Sequence, residues 1–375
     1  MRCSLYIHIP FCRSKCRYCD FYSITETGAI LDEYIDALGT EWDLRYSSEP
    51  FEIATLFIGG GTPSMLTPPQ WERLHEKLLC RLQISSGAEC TVESNPESLD
   101  SARLDMYFRT GITRLSVGIQ SLCDRELDVI GRPHTAAEAI SVLRNPALER
   151  FASVGADIMY GLPGQTPDSL AATIAGVCAH PVITHISAYE LTIADATPFG
   201  RHRTLLPLPS DDATGAMAEM LHGELTGRGF EQYEVSNFAK PGHRCRHNCA
   251  YWSHDPYIGL GCAAHSFVQS HRYRNICDVA EYCTALSNGR LPVEDDEFID
   301  PPTLAREMVF LRLRTTDGLN EETFSRSTGL NFIEWAGAAK LQRFIDEGML
   351  IHQPPRWQPT RRGLLCADYL ARELF

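Results

Sequence analysis

Six short apolar or β-branched runs, at residues 5–9, 53–58, 89–93, 114–118, 153–159 and 185–190, alternate with amphipathic stretches over the first 200 residues of this 375-residue chain. Helices are expected between them, at 31–46, 68–82, 98–110, 136–143 and 167–179. In the second of these, Trp71, Leu74, Leu78 and Leu82 recur at helical spacing. Thr67 is its expected N-cap, with Pro68 or Pro69 in the first turn. Strands that alternate with helices run parallel and are joined by right-handed crossovers. The chain is therefore expected to be α/β, with six β/α units. Groups that carry chemistry are then expected at the carboxyl ends of the strands.

The first strand runs into Pro10, and Cys12, Cys16 and Cys19 follow at spacing C-x3-C-x2-C. Three thiols this close cannot all pair with one another as disulfides, but they can converge on one inorganic centre. An iron–sulfur cluster takes four thiolates when it is wholly protein-bound. Three would leave one iron of a [4Fe–4S] cube open to a small chelating molecule. A zinc loop with a distant fourth ligand is the other reading of the spacing. Tyr18, beside the third cysteine, can shield such a centre from water.

Polar groups stand at successive strand ends. Gly59-Gly60-Gly61-Thr62-Pro63 follows the second run; glycines let backbone N–H and C=O groups approach a ligand closely. Glu93 ends the third run, Gln120 the fourth and Asp157 the fifth, and Arg132 follows a short helix. Taken singly, each has a bland alternative, such as a solvated strand end or a carboxylate paired with a nearby arginine.

C-x3-C-x2-C with an aromatic before the third cysteine resembles the signature of the radical S-adenosylmethionine (SAM) family. The longer string Tyr6-Ile7-His8-Ile9-Pro10-Phe11-Cys12, then Cys16-x-Tyr18-Cys19-Asp20-Phe21, is similar to the branch that holds the oxygen-independent coproporphyrinogen III oxidases and the haem chaperones related to them. The resemblance implies a partial (β/α)6 radical-SAM barrel with a [4Fe–4S] cluster on Cys12, Cys16 and Cys19. It implies SAM contacts at Tyr6, Gly60, Gly61, Thr62, Glu93, Gln120, Arg132 and Asp157. The set suits the ligand's chemistry: an arginine answers its carboxylate by charge-assisted hydrogen bonds, and carboxylates and amides answer its hydroxyls and amine. The implied chemistry is reductive, with one electron passing to the sulfonium and a carbon–sulfur bond breaking.

Beyond residue 200 the pattern changes. A helix over 211–227 precedes a short strand and loop at 229–238, then a polar, basic stretch at 240–248. Residues 291–300 are acidic and contain proline, which marks a boundary. Helices at 302–313, 320–327, 331–346 and 361–374, with strands at 349–351 and 357–359, read as a winged-helix-like unit. Three domains are expected: the radical-SAM core at 1–200, an α+β extension at 201–299 and the C-terminal unit at 300–375.

Winged helices often bind DNA, but a net charge of −14 disfavours nucleic-acid binding, and a packing role is expected instead. No run is apolar enough to span a bilayer, and residues 1–11 lack the features of a signal peptide. The chain is expected in the cytoplasm. Most of its 14 cysteines lie in or beside apolar segments, where reduced thiols behave as small hydrophobes.

Two functional classes follow from the resemblance: a haem chaperone that delivers haem to acceptor proteins, or a radical enzyme acting on coproporphyrinogen III or a related substrate. An electron-transfer iron–sulfur protein would not need the SAM residues. In the oxidases a fourth cysteine stands two residues after the third, where this chain has Phe21, and a longer segment precedes the cluster loop. Both departures favour the chaperones, without coproporphyrinogen oxidase activity. Implied partners are haem, an acceptor that includes membrane-associated haem proteins, and an electron donor. The chaperones also carry a His-Asn-x-x-Tyr-Trp signature, matched by His247-Asn248-Cys249-Ala250-Tyr251-Trp252. His247 is the expected haem ligand and Cys245 its rival. Arg244, Arg246, Arg272 and Arg274 are candidate propionate partners. A zinc-binding tract and a structural loop remain alternative readings of 243–249. His265 is a further candidate near either pocket, and His8 reads as a satisfied core group.

Overall fold

Leu5, Ile7 and Ile9 are fully buried on one face of the first strand, and Tyr6 and His8 point to the other, as the twofold alternation of a strand requires. Strands buried on both faces read as near-continuous apolar runs, which is the habit of parallel sheets covered by helices. The computed structural model describes residues 2–25, 28–46 and 51–375.

In chain order the first half comprises β1 (Arg2–Ile9), α1 (Ala29–Tyr46), β2 (Glu52–Gly60), α2 (Pro68–Lys77), β3 (Ile84–Ser94) and α3 (Ser101–Arg109). It continues with β4 (Arg114–Gln120), α4 (Asp124–Ile130), α5 (Ala136–Leu143), β5 (Ser153–Tyr160), α6 (Pro167–Cys178) and β6 (Ile183–Glu190). β1 to β6 lie side by side in sequence order and all pair in parallel. β6 does not return to β1, so the barrel is open, as a partial barrel must be.

The next stretch widens the same sheet at both edges. It holds α7 (Pro198–Arg201), α8 (Asp211–Gly227), β7 (Glu231–Gln232), β8 (Asn237–Ala239), α9 (Arg246–Trp252) and β9 (Tyr257–Leu260). β10 (His265–Val268), β11 (His271–Asn275), α10 (Val279–Ser287) and β12 (Val293–Phe298) follow. β8 and β7 continue antiparallel beyond β6. β9 pairs in parallel with β1 on the opposite edge and leads to β10, β11 and β12. One apolar core runs from Cys3 to Leu286 beneath this sheet.

A second core, from Ala305 to Leu374, belongs to the C-terminal unit. This comprises α11 (Pro301–Arg312), β13 (Leu319–Asn320), α12 (Glu321–Thr328), α13 (Phe332–Ala336), α14 (Ala338–Asp346), β14 (Leu350–Gln353), β15 (Arg356–Pro359), α15 (Arg361–Leu365) and α16 (Ala367–Leu374). Its small sheet has order β13-β15-β14. Among the described residues, no helix is long and apolar enough to cross a membrane.

Several boundaries differ from expectation. α2 stops at Lys77, because Leu78 leaves helical geometry at φ −136° and a tight turn follows. That turn keeps Leu78, Leu79 and Leu82 buried. β3 begins five residues early, through a polar segment that pairs with β2 from Ile53↔Ile84 onward. The single helix expected over 331–346 is two, split at Gly337, whose φ of 85° and ψ of 112° cannot continue a helix. The last helix likewise breaks at Cys366.

Candidate functional site

The parallel register brings the strand ends together. Ile9 of β1 is opposite Gly60 of β2, Glu93 of β3 is opposite Ser116 of β4, and Gly118 is opposite Asp157 of β5. The loops leaving these ends enclose a cavity of about 560 Å³. Cys12, Cys16 and Cys19 line it, and so do Gly60, Gly61, Thr62, Glu93, Gln120, Arg132 and Asp157. Of the expected SAM contacts, Tyr6 is the exception: it faces a smaller chamber of about 220 Å³, which shares Glu93 and Asp157 with the main cavity.

The cysteine loop is pinned by backbone bonds. Cys12 N–H donates to Ile24 O at 2.9 Å, and Arg17 N–H donates to Ile130 O at 3.0 Å. Arg132 Nη1 lies 3.6 Å from Cys16 Sγ, and Thr62 Oγ1 lies 3.7 Å from Cys12 Sγ. Burial raises the Cys12 and Cys19 thiols; the Thr62 hydroxyl opposes this at Cys12. Tyr18 also lines the cavity and packs on an apolar cluster that includes Leu127, Ile130 and Met159. Among the described residues, no three His, Cys, Asp or Glu side chains converge closely enough for one metal ion.

The glycines matter where the backbone is crowded. Gly60 has φ 110°, and a Cβ there would lie 2.4 Å from the His8 imidazole. A Cβ on Gly61 would lie 2.6 Å from Phe11 O. Glu93 Oε2 accepts the Gly60 N–H at 3.0 Å. Burial, reinforced by the Asp157 charge, pushes the Glu93 carboxyl up to about 7. Burial also raises Asp157, whose Oδ1 accepts from Ser116 Oγ at 2.9 Å.

Arg132 Nη2 donates to Asn95 Oδ1 at 2.7 Å and to Gly118 O at 2.8 Å, while its buried Nε has no partner. Gln120 takes φ 64° beside a register shift in β4, an uncommon conformation for a non-glycine residue. Asn95, which sequence reasoning left out, ties Arg132 to Thr62, since its Nδ2 donates to Thr62 Oγ1 at 3.2 Å. Its only signal was its place just after Glu93 and Ser94.

These residues fit the groups the family implies. Three thiols line one cavity. A buried guanidinium nitrogen lacks a partner, two carboxylates face the same space, and the glycine backbone leaves room for a ligand.

In the tract at 243–249, Cys245 and His247 line the same inner chamber as Tyr6, whereas Cys249 does not. His247 is buried, with Nδ1 bonded to Thr55 Oγ1 at 2.8 Å and Nε2 bonded to the Tyr251 hydroxyl at 3.0 Å. Burial lowers its imidazole to about 3. Both ring nitrogens are engaged within the protein in this conformation, and the residue lines the inner chamber. Cys245 is buried against Glu89, and Cys249 lines a different, outer pocket. Arg244 pairs with Asp317, Arg246 bonds Gly87 O, and Arg274 pairs with Glu294 and Asp295. His265 is exposed on β10 and lines none of these cavities. His8 is satisfied at both nitrogens, by the Tyr6 hydroxyl and Tyr22 O.

Comparison with known proteins adds the following. A family model of the radical SAM superfamily matches residues 6–175, and one of the HemN C-terminal domain matches 299–366. The chain is 35% identical over 376 residues to heme chaperone HemW of Escherichia coli (strain K12), covering 99% of this chain and 97% of that protein. It is 32% identical to heme chaperone HemW of Lactococcus lactis (96% and 94% covered) and 31% identical to that of Bacillus subtilis (97% and 97%). The solved structure of coproporphyrinogen III oxidase (HemN) from Escherichia coli superposes with a TM-score of 0.87 at 23% identity. It covers 99% of this chain and 89% of that one, a likeness of fold.

Proposed function

The chain belongs to the HemW family of haem chaperones within the radical SAM superfamily, and on that footing we propose that it binds haem and passes it to an acceptor protein. The observation that carries this reading is the end-to-end similarity to relatives named heme chaperone, with the C-terminal unit included. Phe21 supports it: the residue at this position is a hydrocarbon side chain, 71% exposed at the cavity mouth, and offers no fourth thiolate.

In this reading Cys12, Cys16 and Cys19 hold the [4Fe–4S] cluster, and SAM lies beside it. When bound, the two together supply one-electron reductive chemistry at the sulfonium. The chain's own residues bind and orient. The unpartnered Arg132 Nε answers the ligand's carboxylate. Gly60, Gly61 and Thr62 bring backbone and hydroxyl groups to its amine, and Glu93, Gln120 and Asp157 take the remaining polar groups. Tyr6 supports this wall from the inner chamber through its bond to His8. Tyr18, on its apolar cluster, excludes water. His247, held at both nitrogens, braces Tyr251 and α9 against β2.

We divide the chain into a radical-SAM core at 1–200, an α+β extension at 201–299 and a C-terminal unit at 300–375. The separate apolar core beginning at Ala305 supports the last boundary. The acceptor is a haem protein, membrane-associated ones included, and an electron donor serves the cluster. With a net charge of −14, nucleic acid is no partner. The cytoplasm is the expected site of action.

The test uses anaerobically reconstituted protein with its cluster verified. Haemin is titrated and the Soret band followed, and a parallel sample receives SAM, a reductant and coproporphyrinogen III. Saturable haem uptake without a decarboxylated product supports the chaperone. A decarboxylated product with only nonspecific haem uptake returns the chain to the enzyme class.

A further inference from the structure

Asn95 directly follows β3, and its side chain stands between the neighbours of two cluster-loop cysteines. Its Oδ1 accepts from Arg132 Nη2 at 2.7 Å, and its Nδ2 donates to Thr62 Oγ1 at 3.2 Å. Arg132 Nη1 in turn lies 3.6 Å from Cys16 Sγ, and Thr62 Oγ1 lies 3.7 Å from Cys12 Sγ. One amide therefore joins two side chains that reach cysteine sulfurs.

We propose that Asn95 is a positioning residue for the cluster: it holds Thr62 and Arg132 as hydrogen-bond donors to Cys12 and Cys16, and so raises the cluster's reduction potential. The proposal rests on the assignment of Cys12, Cys16 and Cys19 to a [4Fe–4S] cluster and adds a tuning role for a residue outside the expected contacts. Hydrogen bonds to ligating sulfurs favour the reduced, more negative form of a cluster, so each well-directed donor moves the potential up.

The direction of the amide is fixed by its neighbours. A guanidinium only donates, and a carboxylate only accepts. Arg132 bonds one end of the amide, and Glu97 Oε1 bonds the other, 3.1 Å from Nδ2. Burial works to raise the Glu97 carboxyl, but His134, 3.3 Å from Oε2, and the Arg132 charge hold it below its ordinary value. Turning the amide over would set donor against donor at Arg132 and acceptor against acceptor at Glu97. Oδ1 must therefore face Arg132, and Nδ2 must face Thr62 and Glu97.

That direction decides what Thr62 does. A hydroxyl has a single proton to give. Because Nδ2 donates to the Thr62 oxygen, the proton is left for another acceptor, and Cys12 Sγ is within reach. Thr62 is buried, and its backbone N–H is tied to Phe11 O at 2.8 Å, which limits where the hydroxyl can turn. Arg132 is steered in the same manner. Its Nη2 is taken by Asn95 Oδ1 and Gly118 O, which leaves Nη1 for Cys16.

Asn95 is itself anchored by its backbone. Its N–H donates to Ser64 Oγ at 3.1 Å, and its C=O accepts the Ser98 N–H at 3.1 Å. An aspartate has the same shape as asparagine but, when ionised, cannot donate. At this position it would keep Arg132 as an ion pair and draw the Thr62 proton to itself, away from Cys12. The substitution therefore separates the two arms.

The experiment is a potentiometric titration of the reconstituted full chain without SAM, followed by EPR, with iron and sulfide content checked in each sample. Wild type is compared with Asn95→Asp, Asn95→Ala, Thr62→Val and the double variant Asn95→Asp with Thr62→Val. Thermal melting confirms that each folds. In Asn95→Asp the reduction equilibrium is expected to shift about tenfold towards the oxidised cluster, which is about 59 mV to lower potential for one electron. Asn95→Ala shifts it in the same direction without adding charge, and decides the question where Asn95→Asp does not fold. In the Thr62→Val background, Asn95→Asp is expected to lose much of its effect, because the hydroxyl it would redirect is gone. A wild-type potential in the folded, cluster-loaded Asn95 variants overturns the proposal. So does a full Asn95→Asp shift without the Thr62 hydroxyl, which is the effect of the added charge alone. Both outcomes leave the cluster assignment standing. Wild type that takes up no [4Fe–4S] cluster overturns the assignment and the proposal together.

Discussion

Glu93 Oε2 accepts the backbone N–H of Gly60 at 3.0 Å, joining the ends of β3 and β2 at the wall between the two inner cavities. The bond opposes, but does not cancel, the burial that raises this carboxyl to about 7 from an ordinary value of 4.5. Between about pH 4.5 and 7 the folded chain therefore holds a proton on Glu93 that the unfolded chain has lost. Stability falls as pH rises through that window, and the full cost is present above about 7. Glu93→Gln removes the cost. Without ligand, the variant should be more stable than wild type at pH 8 by roughly 1–3 kcal/mol, with the advantage gone near pH 4.5. With its cluster built, it should bind SAM more weakly. Denaturant unfolding across this pH range, paired with SAM binding, checks both halves. Equal pH profiles for the two proteins would show that Glu93 ionises normally.

Gly60→Ala should damage the site from the backbone side. The added Cβ would lie 2.4 Å from a His8 ring that cannot swing away, because Tyr6 and Tyr22 hold both of its nitrogens. The φ of 110° adds strain of about 1–3 kcal/mol. A lower melting temperature and SAM affinity reduced at least about tenfold are expected. The double variant Gly60→Ala with His8→Ala should recover part of the stability, since it removes the clash but not the strain. No recovery would place the whole cost in the backbone.

The strand-end site was legible because a parallel sheet turns sequence order into spatial order. Once β1 to β5 are recognised, Gly60, Glu93, Gln120 and Asp157 must become neighbours at one end of the sheet. Tyr6 shows the limit of that logic. It belongs to the same strand as the cluster loop but faces the inner chamber, because its side chain alternates with Leu5 and Ile7. His247 was less legible, because its partner Thr55 is 192 residues away and nothing local announces it. His254, Arg306 and Phe375 meet only through the docking of the C-terminal unit, which no periodicity encodes. The parallel pairing of β9 with β1 was hidden for the same reason.

Glu41 secures that distant pairing. It is fully buried, and its carboxylate accepts from Gly261 N–H at 2.9 Å, the Tyr282 hydroxyl at 2.6 Å, Asn275 Nδ2 at 2.7 Å and Arg45 Nε at 3.2 Å. The loop it holds is tied to β1 through the Tyr34 hydroxyl, which bonds both His8 O and Cys262 N–H. Glu41→Ala leaves the Arg45 charge, 7% exposed, without its counter-charge. The expected loss is about 3–5 kcal/mol, against about 1–3 kcal/mol for Tyr282→Phe. Denaturant midpoints with unchanged slopes would measure both. A loss below about 1 kcal/mol for Glu41→Ala would mean that water replaces the carboxylate at no cost.

His247→Ala separates a brace from a ligand. Removing the ring empties a buried space and takes the partner from the Tyr251 hydroxyl; Thr55 keeps its bond to Ser4. A stability loss of about 2–4 kcal/mol at pH 7 is expected. Burial lowers the imidazole from 6.5 to about 3, so below about pH 6.5 the unfolded chain binds a proton that the folded chain refuses. The stability His247 contributes is therefore complete above about 6.5 and is lost as the solution is acidified towards about 3. At pH 5 the gap between wild type and variant should be smaller than at pH 7 by about 2 kcal/mol. A histidine exposed to an open haem pocket would titrate near its ordinary value, and the gap would then stay constant between pH 7 and 5. Urea unfolding of the haem-free proteins at the two pH values distinguishes a buried brace from an accessible ligand.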